Sequence, residues 1–407
     1  MSKEKALETR DYINYLLVTG LVAVSGFPYF YRTQAFILIL LLIAFFFYLK
    51  ESIRFDFRVL KIIGLFFIVE MSQVLLVKPF DPILLAGTYT RLFVGFVIIS
   101  LCRENFIKYY VNILYILCII SFIFFLPCFF FHGIYDFFVN SVCPHFNPPG
   151  QNIIEFYKPE PTIMFFTFDE AILEFRNPGP FWEQGAFAIF ILIAMLFNLM
   201  QEKTLWSKKN IVFTLAVVST LSTSGVIALA LLIVFFYMVT QNLVRRLIFI
   251  AIALPVMVSM YFSLEFLNSK IENNIKISGY DNSSRFGSAL SDLKDFSTNP
   301  IIGWGRGAMR YGGAKFTFFS HEQHRNCGLT AVLATYGIFV FIYFFYNYYK
   351  TLKTVCIANH FNPKFAGYSF IVIWVLGFSQ TVFQYPFFYS LMFVHLVYNT
   401  RCSDTTT

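Results

Sequence analysis

Apolar runs, separated by short polar connections, govern what this chain can become. They fall at about 12–31, 35–49, 59–77, 83–101, 106–131, 185–200, 211–222, 225–240, 247–263, 327–349, 366–383 and 386–399. A bilayer core about 30 Å thick is crossed by roughly 20 helical residues. In lipid each run must be helical, because only then are its backbone polar groups satisfied within the segment. Composition agrees: 57% of residues are hydrophobic and 13% charged, against about 45–50% and 25% in soluble domains. The expected fold class is an all-α polytopic membrane protein with about 12 transmembrane helices, residues 1–407 forming a single integral membrane domain. The runs at 35–49, 211–222 and 386–399 are the short ones. The N-terminal MSKEKALETRDY mixes acids and bases and lacks a small-residue cleavage site, so it reads as the start of a retained first span.

Lys and Arg placement sets the orientation. One side of the membrane receives Lys3, Lys5, Arg10, Lys50, Arg54, Arg58, Lys61, Arg103, Lys108, Lys203, Lys208, Lys209, Arg245, Arg246, Lys350, Lys353, Lys364 and Arg401. The short connections on the other side carry only Arg32 and Lys78. Both termini are therefore expected in the cytoplasm. The net charge of +8 is then a topology signal, and nucleic acid is not an expected partner. Two long loops, about 132–184 and 264–326, fall outside, the second partly helical. It holds eight basic residues; since long loops cross regardless of charge, that excess needs another explanation. No cytoplasmic connection is long enough for a nucleotide-binding domain and no GxxxxGK[ST] motif occurs, which excludes an ATP-driven pump.

Of the seven cysteines, only Cys143 and Cys327 fall on the external face, where an oxidising compartment would let them pair. No CxxC spacing is present, so a structural zinc site is not expected. The 55 phenylalanines read as compositional bias, tolerated because lipid-facing Phe carries no penalty.

The polar island from Asp281 to Gly337 is where chemistry is expected. It carries Arg285, Arg306, Arg310, Arg325, His321 and His324, with GWGRG in its middle and Asn326 just before the next apolar run. Ser283 or Ser284 caps a helix with Ala289, Leu290 and Leu293 on one face, and Asn299-Pro300 ends it. Clustered arginines suit a polyanion, because the guanidinium fork binds phosphate oxygens bidentately and stays charged; taken singly, each is equally suited to lipid headgroups. A histidine beside such a site can serve as a general base. Alone it is simply solvated. The first loop ends in RNPGPFWEQGAFA, with Arg176 and Glu183 on either side of a Pro-Gly-Pro turn. Its bland reading is a membrane-surface anchor with Phe181 and Trp182 at headgroup depth. Within the spans, Glu70 and Arg91 stand at depths where charges normally pair or line a polar cavity. They either pair with each other, or Arg91 reaches a lipid-linked anion.

Three pieces resemble a family. RNPGPFWEQGAFA, TLSTSGVIALAL and SSRFGSALSDLKDFSTNPIIGWGRG…HRNCGLTAVLATYGIF are similar, in order and membrane placement, to elements of the bacterial O-antigen polymerases (Wzy type) and the related O-antigen ligases. The sequence departs from the family pattern in having Gln184 for a proline, no Arg between Ser224 and Gly225, and Arg325 between His324 and Asn326. The resemblance implies a metal-independent, cofactor-free enzyme of the bacterial inner membrane. It would polymerise undecaprenyl-diphosphate-linked oligosaccharide repeat units on the periplasmic face into O-antigen or a related surface polysaccharide. Its partners would be a lipid-linked glycan donor and acceptor, membrane lipid and a candidate chain-length regulator protein. Arg176, Arg285 and Arg306 would then hold the diphosphate, with Arg310, Arg91 and Asn326 as further substrate contacts. His324 would be the base, with His321 the alternative, and Glu183 would position or activate the acceptor. A ligase acting on lipid A–core is the nearest alternative, separable by exchanging the acceptor. A flippase or other transporter would instead distribute charge along a central pathway, and proton-dependent transport in proteoliposomes would reveal it.

Overall fold

The computed structural model describes residues 3–77, 80–146, 160–242, 244–246, 285–306 and 326–398. In chain order the helices are α1 (Lys3–Gly26), α2 (Pro28–Tyr31), α3 (Gln34–Lys50), α4 (Val59–Leu76), α5 (Pro82–Cys102), α6 (Phe106–Phe130), α7 (His132–Phe137), α8 (Gln184–Glu202), α9 (Lys208–Ser219) and α10 (Thr223–Thr240). They continue with α11 (Arg285–Thr298), α12 (Gly328–Ala358), α13 (Lys364–Ser379), α14 (Pro386–Ser390) and α15 (Val394–Tyr398). Strand structure among the described residues is one antiparallel hairpin, β1 (Thr162–Ile163) and β2 (Phe166–Thr167), with Thr162 opposite Thr167. The protein is thus all-α.

Among the described residues five helical stretches are long and apolar enough to cross a membrane: Val59–Leu76, Pro82–Phe130, Gln184–Glu202, Thr223–Thr240 and Gly328–Ala358. The second contains a turn at Arg103, in the left-handed region at φ 50°. Shorter apolar helices occupy Ala35–Lys50, Lys364–Ser379 and Pro386–Tyr398. Large apolar side chains stand exposed along α3 (Leu38, Leu42, Phe45, Phe46, Leu49) and α4 (Phe67, Ile68, Leu75, Leu76). Apolar faces of that extent belong in hydrocarbon rather than water, and the chain is a membrane protein. The sequence pattern is not matched span for span. The run at 211–222 becomes α9, whose 12 residues reach only about 18 Å at 1.5 Å per residue; Leu221, at φ 43°, then turns the chain into α10. The run at 386–399 breaks into α14 and α15, and the run at 247–263 lies outside the described residues.

Contacts divide the chain into two units, Met1–Arg54 with Thr90–Leu229 and Tyr385–Thr407, and Phe55–Tyr89 with Ala230–Gln384. The first is built around α8, in which every residue from Ala186 to Met200 is buried. A helix apolar on all sides is a core helix, and this one is surrounded. The described part of the first loop carries structure of its own. Its hairpin and α7 close over the end of α6 through a cluster of buried residues that includes Phe125, Cys128, Tyr135, Cys143, Phe166 and Phe168. Phenylalanine therefore does more here than face lipid: Phe138 stacks on Phe168 at 4.8 Å, and Phe124 on Phe166 at 5.4 Å. Cys143 and Cys327 are both free thiols.

In the second unit α11 packs on α12 with a face the sequence did not suggest. Ser288, Ala289, Asp292 and Asp295 are buried, while Phe286, Leu290 and Leu293 are 43%, 48% and 42% exposed. Of the expected apolar face only Ala289 turns inward. The polar side wins because it finds a partner: the Thr330 hydroxyl donates to Asp292 Oδ2 at 2.8 Å, and a buried carboxylate is tolerated only when it is hydrogen-bonded.

Candidate functional site

Arg176 is mounted on a backbone lock in the first unit. The next residue, Asn177, is fully buried, and its side chain ties three elements together. Its amide donates to Ser121 Oγ on α6 at 3.1 Å and to Ser219 Oγ on α9 at 3.2 Å, while its carbonyl accepts from the Gly179 amide at 2.9 Å. Its backbone amide donates to the Ser219 carbonyl at 2.9 Å. Gly179 sits at φ +55°, and a Cβ there would lie 2.5 Å from the Phe187 ring, so only glycine fits. Arg176 emerges half-buried from this lock, its Nη1 3.9 Å from the exposed Glu174. Its buried Nε has no hydrogen-bond partner among the described residues.

Beyond the turn, Phe181 fills the core. It contacts Phe27, Phe187 and Phe190 at centroid distances of 5.4, 5.6 and 4.4 Å, and a Cβ on Gly26 would overlap its ring at 2.3 Å. The surface-anchor reading of Phe181 is therefore wrong: its ring is wholly inside the protein. Glu183 is the N-terminal flanking residue of α8, in extended conformation (φ −160°, ψ 164°). It lies close enough to influence the Tyr385 hydroxyl, as does the half-buried Arg91 of α5. Gln184 donates to Asp169 Oδ2 at 2.8 Å.

Arg306 is mounted in a comparable way in the second unit. The segment 299–305 crosses a break in α12 at Gly337, whose φ of 74° and ψ of −178° belong to a region open essentially to glycine alone. In an unbroken helix the Ile338 amide would donate to the Ala334 carbonyl. Here it donates to the Pro300 carbonyl at 2.9 Å, and the Trp304 and Gly305 amides donate to the carbonyls of Ala334 and Thr335, each at 2.9 Å. The crossing is so close that a Cβ on Gly337 would stand 2.2 Å from the Ile301 oxygen, and one on Gly303 2.6 Å from the Thr335 oxygen. Gln73 of α4 seals it, donating to the carbonyls of Ile302 (2.5 Å) and Thr335 (2.8 Å). The Trp304 indole donates to the Asp295 carbonyl at 2.9 Å. Arg306 follows immediately, and its Nη1 donates to Thr88 Oγ1 at 3.0 Å.

Of the remaining residues, Arg285 opens α11, partly buried, and Asn326 stands half-buried two residues before α12. Arg310, His321 and His324, and the capping pair Ser283 and Ser284, lie outside the described residues. Glu70 is 2% exposed in the second unit, whereas Arg91 belongs to the first. The structure thus groups Arg176, Glu183 and Arg91 in one unit, and Arg285, Arg306 and Asn326 in the other. Sequence reasoning missed the residues that hold the arginines: Asn177, Gln73 and Thr88. The available signal was weak, a buried-type amide or hydroxyl within an otherwise apolar or Gly/Pro-rich stretch. Neither a protein-family model nor a curated protein matches this chain.

Proposed function

We propose that this protein is a membrane glycosyltransferase that polymerises undecaprenyl-diphosphate-linked oligosaccharide repeat units into a surface polysaccharide at the periplasmic face of the bacterial inner membrane. The observation that carries this reading is the mounting of Arg176 and Arg306. Each guanidinium stands next to a non-helical segment pinned by buried hydrogen bonds, so little ordering remains to be done when an anion arrives. Preorganised cationic donors of this kind stabilise charge developing on a leaving group. A departing lipid diphosphate is such a group, and arginine binds it through two oxygens at once.

In this account Arg176, Arg285 and Arg306 hold the diphosphate, with Arg310, Arg91 and Asn326 assisting. His324 accepts the proton of the attacking sugar hydroxyl, and Glu183 orients that acceptor. The hydroxyl oxygen attacks the anomeric carbon, the bond from that carbon to the phosphate oxygen breaks, and the diphosphate leaves as an anion. The twelve-span topology with cytoplasmic termini belongs to the same proposal. It is tested with purified protein and lipid-linked repeat unit, comparing wild type with Arg285→Ala and His324→Ala. Both variants should insert and fold but lose the laddered product; a normal ladder from Arg285→Ala would remove the diphosphate assignment.

A further inference from the structure

Three rings from distant parts of the sequence meet in the first unit. The centroids of Tyr31 and Trp182 are 5.5 Å apart, those of Trp182 and Tyr385 5.2 Å, and those of Tyr31 and Tyr385 6.1 Å. All three are half-buried, unlike Phe181 beside them. Each ring is held by an anchor one or a few residues away. Tyr31 ends α2, whose preceding Phe27 packs edge-on against Phe181. Trp182 follows Phe181 directly. Tyr385 flanks α14, which is fixed to α1 by the Phe387 amide donating to Ser25 Oγ at 2.8 Å.

Ionised groups border the rings. The Arg32 guanidinium lies 5.8 Å from the Tyr31 centroid and is bonded to Glu160. Burial disfavours its charge, but Glu160 and Tyr31 together outweigh that and keep it firmly protonated. Arg91 and Glu183 act on the Tyr385 hydroxyl, which burial holds well above the usual phenol range, so it remains a hydrogen-bond donor.

A belt of interfacial aromatics has a different form, with single rings facing lipid. Charges flanking a lipid-facing ring would be costly against acyl chains. A ring cluster half-open to the surface and bordered by both signs of charge matches instead the two-sided chemistry of a sugar. The C–H face of a pyranose is apolar with weakly positive hydrogens, which the negative face of an aromatic ring attracts. Its rim of hydroxyls needs donors and acceptors placed around that contact. We propose that Tyr31, Trp182 and Tyr385 form a saccharide platform on which a sugar ring of the acceptor glycan stacks, with Glu183 and the Arg32–Glu160 pair bonding its hydroxyls. Its assignment to the acceptor rests on the glycosyltransferase reading; stacking of a sugar does not.

The test uses the full-length protein in nanodiscs. The probe is free oligosaccharide of one and two repeat units, released by mild acid from the cell's own lipid-linked glycans, and binding is followed by saturation-transfer NMR. Wild type should bind, Trp182→Phe should retain binding within a few-fold, and Trp182→Ala should weaken it at least tenfold while leaving affinity for undecaprenyl diphosphate unchanged. In the polymerisation assay Trp182→Ala should raise the acceptor KM more than it lowers kcat. Should Trp182→Ala fail to fold, Tyr385→Phe, which deletes only the hydroxyl, is expected to weaken binding several-fold. Equal binding by wild type and the variant, or no binding by wild type, overturns the platform. Trp182-dependent binding in a protein that never polymerises lipid-linked glycan supports the platform and removes the polymerase.

Discussion

Replacing Gly337 with alanine probes the crossing that mounts Arg306. At φ 74° and ψ −178° an alanine carries about 1–3 kcal/mol of backbone strain. The new Cβ would also stand 2.2 Å from the Ile301 oxygen, a contact with backbone that no side-chain rotation relieves. The segment 299–305 must therefore retreat. In doing so it stretches the three bonds that join it to α12, from Trp304, Gly305 and Ile338, each with a net value of about 1 kcal/mol. Some of these bonds survive a partial shift, so local destabilisation should be about 3–5 kcal/mol. At 1.4 kcal/mol per tenfold, amide exchange through local opening should accelerate about 100-fold or more. Hydrogen exchange read by mass spectrometry on peptides covering 300–306 and 336–340 measures this directly. Gly367→Ala is the control, since nothing lies within 4 Å of its Cβ position. Unchanged exchange in Gly337→Ala would refute the reasoning, whereas the same acceleration in the control would show a general loosening unrelated to the crossing.

Asn177→Ala deletes bonds to Ser121, Ser219 and Gly179 and should lower stability by about 2–3 kcal/mol, seen as a reduced thermal midpoint of the purified protein; an unchanged midpoint contradicts the lock. Thr88→Val removes the acceptor for Arg306 and should reduce polymer yield while changing stability by only about 1 kcal/mol. Burial pushes Cys143 up to about 12 from 9.0. The folded protein therefore holds this proton more tightly than the unfolded chain does, so the first-loop cluster keeps its full stability below pH 9 and loses it as the pH rises toward 12. Alkylation of Cys143 by iodoacetamide should accordingly be slow at pH 8 and accelerate as that cluster opens in alkali; fast labelling at pH 8 would contradict its burial.

The membrane class was legible because hydrocarbon leaves so few backbone solutions, and long apolar runs report it directly. Which short runs would become spans was less legible: the α14–α15 segment is apolar because it is buried against protein, whereas α9 buries one face and leaves Ile211, Leu215 and Val218 exposed on the other. Burial in a neighbour and burial in lipid write the same sequence. The Gly and Pro positions of RNPGPFW and NPIIGWG announced tight, irregular backbone, and they deliver it. What those turns dock against was hidden, because Ser121, Ser219 and Gln73 lie 42 to 262 positions from the residues they hold in the pairs formed here, and the Gly337 break lies inside the helix that follows. The inverted face of α11 was unreadable for a related reason. Its period of apolar residues is genuine, but the Thr330 hydroxyl bonds the aspartate side instead.

The central claim is that the mounted arginines receive a lipid diphosphate, and binding tests it without any requirement for turnover. Purified wild type in nanodiscs is titrated with undecaprenyl diphosphate beside Arg176→Ala, Arg285→Ala and Arg306→Ala, with undecaprenol as the uncharged control. The account predicts saturable binding to wild type, at least tenfold weaker binding to each variant, and no saturable binding of undecaprenol. Equal affinities across all four proteins would contradict it.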